Sequence, residues 1–153
     1  MRHLMFFNSI LFAALTILVY NSAKAGEVFH DDTRAYVGLQ WIFGEVRDPL
    51  PKFVLGIRHT RIRANNMISG GDLSLTVNLE KSSPDAIRIS YLEGKCNFVG
   101  QYGVGYSMEK RENLIFVGVV GPMSKVFAEL DGSKNLAPGL ELNTQDCARR
   151  VNV

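Results

Sequence analysis

The chain has 153 residues, 46% of them hydrophobic, with 17 basic and 15 acidic side chains. That length allows one domain around one core. The near balance of charge excludes the strongly basic footprint of a nucleic-acid binder, so no nucleic acid is expected as a partner.

The first element is an export signal. Arg2 and His3 follow Met1, residues 4–20 are apolar apart from Asn8, Ser9 and Thr16, and Ala23 and Ala25 supply the small side chains of a cleavage site. This predicts a signal peptide over 1–25, with a short membrane anchor as the alternative. Cleavage removes Arg2 and Lys24, so two fewer basic residues leave 15 against the 15 acidic ones. Residues 26–34 read as a polar leader. His30, Asp31 and Asp32 in it have metal-ligand chemistry, but a solvated tether is the simpler account, and no metal or cofactor is expected.

From residue 35 the dominant period is two, with no helical stretch of ten residues. Residues 35–44 place Val37, Leu39, Trp41 and Phe43 on one face. After a turn at Asp48, Pro49, Leu50 and Pro51, residues 52–63 do the same with Phe53, Leu55 and Ile57. The clearest alternation is 72–80, where Leu73, Leu75, Val77 and Leu79 oppose Asp72, Ser74, Thr76, Asn78 and Glu80. Residues 86–94 and 98–110 follow, the second with Tyr102, Val104, Tyr106 and Met108 against glycines and polar residues. Residues 114–121 are apolar on both faces, so their orientation stays open. A short strand at 126–130 and a last one at 136–145 complete about eight candidates. The expected fold is all-β, an antiparallel up-and-down β-barrel of about eight strands, with a β-sandwich as the alternative.

Alternation does not say whether the apolar face points into a core or outward into lipid. The opposite face decides the expectation. It carries Gly38, Gln40, Gly56, Arg58, Ser74, Thr76, Ser90, Gln101, Gly103, Gly105 and Ser107, with lysine nearly absent. A solvated sheet surface favours Lys, Glu and Thr, whereas the crowded interior of a small barrel favours small and hydrogen-bonding residues. Aromatics in or at the ends of the apolar face add the girdle residues of a membrane strand of about nine to eleven residues.

With its signal peptide, short turns, aromatic-rich apolar face and glycine-rich opposite face, the chain resembles the small eight-stranded outer-membrane barrels of Gram-negative bacteria. The resemblance is architectural, covers most of 35–145 and rests on no family motif, so it carries over no functional residue. Such proteins commonly end in a strand with a terminal aromatic residue; this chain departs from that with a polar tail ending at Val153.

Cys96 and Cys147 both fall in the exported part and are expected to form a disulfide, two buried thiols being the alternative. In an up-and-down barrel they emerge at one end but on opposite sides of the rim. That exceeds the ~7 Å Cα separation of a disulfide unless the tail folds across the opening.

No zinc-protease, nucleophile-elbow, P-loop or EF-hand motif is present. The most concentrated charge is Arg58, His59, Arg61 and Arg63, a candidate interaction patch in which the period of two aligns His59, Arg61 and Arg63 with Phe53, Leu55 and Ile57. Apolar and then basic is the order of a strand leaving a bilayer, where cations meet lipid phosphates, lipopolysaccharide or an acidic protein surface. A solvated loop end is the plainer account. The expectation is an exported non-enzymatic barrel of the envelope, in the outer membrane, serving surface interaction or envelope integrity. The alternative is a soluble periplasmic or secreted disulfide-bonded binding module, such as an inhibitor or immunity protein.

Overall fold

The computed structural model describes residues 30–44 and 50–147. The expected signal peptide, residues 26–29 of the leader, Asp48 and Pro49 of the first turn and residues 148–153 of the tail lie outside the described residues.

Eight strands follow in chain order: β1 (His30–Ile42), β2 (Lys52–Ile62), β3 (Met67–Asn78), β4 (Ser83–Lys95), β5 (Phe98–Ser107), β6 (Glu112–Gly121), β7 (Ser124–Asp131) and β8 (Leu136–Asn143). Each pairs antiparallel with the next. β8 returns to β1, from Gly38 opposite Asn143 to Ile42 opposite Gly139, so the sheet closes as a barrel and not as a sandwich.

The register fixes the shape. Stepping across facing residues from His30 leads through Ile62, Ile68, Gly94, Val99, Val120, Lys125 and Glu141 to Gln40. One circuit therefore climbs ten residues of β1. With ordinary strand rise and spacing, that stagger tilts the strands by about 40° from the barrel axis.

β1 begins inside the expected polar leader. Asp31 faces Arg61 and Thr33 faces His59 across the β1–β2 ladder, so the charged start of β1 is held by complementary residues on its neighbour. β3 likewise starts earlier than its clean alternation implies. Gly70 and Gly71 interrupt the apolar pattern but pair with Thr60 and His59, and a side chain at Gly70 would overlap the His59 carbonyl.

The hairpins divide the molecule into two ends. Residues 63–66, 96–97 and 122–123 turn at the end where β1 starts and β8 finishes, here the tail end. Residues 43–51, 79–82, 108–111 and 132–135 connect strands at the other, the loop end. Interior apolar packing gathers toward the tail end, where Leu92, Val99 and Val120 cluster and Ile62 and Ile68 are also buried.

Candidate functional site

The period of two resolves into an inside-out distribution. Val37, Leu39, Leu55, Ile57, Leu73, Ile87, Ile89, Tyr102, Val104, Ile115, Val117, Val126 and Leu142 all face outward and are exposed. β6, unreadable from its pattern, turns Leu114, Phe116 and Val120 inward and Ile115, Val117 and Val119 outward.

The inward positions carry charge. Among the described residues, four ion pairs have both side chains buried. Arg58 Nε donates to Asp72 at 2.8 Å, and Asp72 also accepts from the Tyr36 hydroxyl at 2.9 Å, while the guanidinium lies 5.2 Å from the Tyr36 ring centre. Lys125 Nζ stands 2.6 Å from Glu141, which accepts further from Gln40 and Asn143. Arg88 joins Glu129 at 2.8 Å and Thr76 at 3.1 Å. Lys52 meets Asp85 at 3.2 Å, and Asp85 also accepts from Thr76.

Position along the strands orders the pairs from Arg58–Asp72, nearer the tail end, to Lys52–Asp85 at the loop end. Burying any one of these charges alone would be prohibitive, and pairing with additional hydrogen bonds is what makes the interior tenable. With Phe116 and Phe127 also buried inside, the barrel is filled by side chains.

The tail closes one end. Thr144 donates its backbone N–H to Val37, the Gln145 side chain reaches the Arg34 carbonyl, and the Gln145 carbonyl accepts from Met123. Cys147 then forms a disulfide with Cys96, with the Cα atoms 5.3 Å apart. The rim separation that argued against this pair is bridged because residues 144–147 cross the opening. A cavity of about 40 Å³ remains beneath them, beside Arg34, Arg58 and Thr60.

The basic patch divides. His59 and Arg61 face outward, as the alternation implied, with the His59 ring 2.7 Å from the Thr33 hydroxyl and Arg61 2.9 Å from Asp31; Arg63 stands just beyond β2. Arg58 does not belong with them, because the same alternation turns it into the barrel against Asp72. Thr33 and His59 place a hydroxyl beside an imidazole, but Asp31 on the same face is engaged by Arg61, and the pair sits on the exposed outer side of the sheet.

Sequence reasoning missed Lys52, Asp85, Lys125, Glu129 and Glu141. The legible signal was that acids and bases both occupy the inward frame of alternation, once the expected strands 86–94 and 126–130 are extended to include Asp85 and Lys125.

At the loop end, Lys81 in the β3–β4 turn engages Glu109 in the β5–β6 turn. That hydrogen bond holds the Glu109 carboxyl below its ordinary range against the opposing effect of burial. Comparisons with protein-family models, with curated proteins and with solved structures found no match.

Proposed function

We propose that this chain is a non-enzymatic β-barrel of the bacterial outer membrane, seated in lipid through its apolar wall and acting in surface interaction or envelope integrity. The observation that carries this reading is the inversion of polarity. Ile57 and Val117 are more than half exposed, at 55% and 57%, while the side chains of Lys125 and Glu141 are 2% and 0% exposed. In water that arrangement would leave apolar wall unsatisfied around the whole barrel; in a bilayer it is the expected partition.

Strand lengths of 8 to 13 residues accommodate the tilted span of about nine to eleven that a bilayer requires. Closure gives every strand two neighbours over at least part of its length, β1 meeting β8 from Gly38 to Ile42. The packed interior favours work through surfaces rather than conduction. Partners of this reading are outer-membrane lipid, lipopolysaccharide or another protein.

The test is partition. Expressed with its export signal in a Gram-negative host, the chain is expected to stay with membranes through carbonate washing and to migrate differently in detergent gels before and after heating. Recovery as a soluble periplasmic or secreted protein would replace the membrane reading with that of a disulfide-bonded binding module.

A further inference from the structure

We propose that an apolar concavity on the outer wall of β1 to β4 seats an acyl chain of one anionic glycerophospholipid, with its phosphate at the basic run His59, Arg61 and Arg63. This inference rests on the membrane reading and names the lipid class for one part of that wall.

The concavity measures about 520 Å³ and is lined by Ala35, Val37, Leu55, Ile57, Leu73 and Ile87, among others. Its size lies within the range of about 300–1,000 Å³ typical of small-molecule sites. Two features of the chain create it. Below Gly38, β8 no longer accompanies β1, because the tail turns inward toward Cys96, and Thr144 is left at the margin of the hollow. Ala35 adds only a methyl group to the outward face there.

The outward face of β2 continues from this hollow toward the tail end as His59 and Arg61, with Arg63 next in the same alternation. Facing positions on β1 contribute Thr33 and a single carboxylate, Asp31, the outward positions of β3 are Met67, Ser69 and Gly71, and β4 adds Glu93 and Lys95, whose charges offset each other. The net charge beside the hollow is therefore positive. Arginine guanidinium groups suit phosphate oxygens through paired donors.

The end of the barrel selects the lipid. The tail end has turns of two to four residues, against nine at the longest connection of the loop end, and short turns belong to the periplasmic side. The periplasmic leaflet is built from glycerophospholipid, which commits the occupant to that class rather than to lipopolysaccharide.

The experiment uses the full exported chain folded into phosphatidylcholine vesicles, with insertion read from heat-dependent gel mobility and from the emission shift of Trp41. Inserted protein is then extracted with mixed phosphatidylglycerol and phosphatidylcholine, and retained lipid is measured by native mass spectrometry. The expected result is one retained phosphatidylglycerol, with the preference falling about fivefold for each of Arg61→Ala and Arg63→Ala. Ala35→Trp, which fills the hollow, is expected to reduce retention while insertion is unchanged. Equal retention of the two lipids by the parent chain would overturn the proposal, as would unchanged retention in the variants. Failure to insert into any vesicle would instead overturn the membrane reading and the lipid seat with it.

Discussion

Lys125 shows how much depends on a single interior residue. Its ammonium is 2.6 Å from Glu141, with both side chains essentially removed from solvent. Lys125→Met leaves the carboxylate buried without its cation and is expected to cost about 3–5 kcal/mol. Adding Glu141→Gln in the same chain should recover much of the loss, since no uncompensated charge remains. Urea titration of vesicle-inserted protein measures both; equal destabilisation in the single and double variants would mean that packing, not charge, is what the pair supplies. Gly56 offers a second residue-scale test. A methyl group there would overlap the Tyr36 ring, so Gly56→Ala should displace the hydroxyl from Asp72 and cost about 1–3 kcal/mol. In the background of Tyr36→Ala, the same substitution is expected to be nearly neutral. Residues of this kind were only partly legible. Asp72, Ser74 and Thr76 stood out because their strand alternates cleanly, whereas Lys125 and Glu129 belong to a strand whose short apolar set gave no sense of where it began.

Between strands, two links hold elements that the barrel ladder alone leaves separate. The Cys96–Cys147 bond closes a sequence separation of 51 and keeps residues 144–147 across the tail end. Chain entropy alone gives such a loop about 4 kcal/mol of stabilisation. Reduction, or Cys96→Ser with Cys147→Ser, is expected to lower the urea midpoint without abolishing the barrel, because β8 still pairs with β1 from Gly38 to Ile42. Heat-dependent gel mobility checks survival of the barrel, and its disappearance would make the disulfide a condition for closure. Lys81 and Glu109 provide the other link. Glu109 has its folded-state pKa lowered from an ordinary 4.5, chiefly by the Lys81 hydrogen bond. Its contribution is therefore full above 4.5 and is lost as pH falls through the lower folded value. Lys81→Gln should remove that contribution, lowering stability slightly above pH 4.5 and leaving it unchanged in strong acid, so that the acid limb flattens; the loss is small because both side chains are partly exposed. The strands themselves were visible in the period of two. Their starts were not, because His30 to Arg34 and Gly70 to Gly71 extend the ladder through cross-strand partners rather than through apolar alternation.

For the whole molecule, the decisive property is which solvent meets the outer wall. Composition of the non-apolar face pointed to a crowded interior, but the two orientations of an alternating strand are equivalent until closure gives the sheet an inside. Once β8 joins β1, an outward Val117 and an inward Phe116 become different environments one residue apart. Val117 lies near the middle of β6, whereas Leu136 begins β8 at the loop end. If lipid surrounds the barrel, Val117→Arg should cost about 2–4 kcal/mol of folding into vesicles and Leu136→Arg only about 0–1 kcal/mol. If water surrounds it, both arginines would be solvated and both substitutions would be near neutral or would improve solubility. Parallel urea titrations in vesicles, with each variant's unheated gel mobility as the folded-state marker, separate these outcomes. A depth-dependent penalty identifies the wall as a membrane surface, because a hydrated sheet has no midplane from which a charge needs to escape.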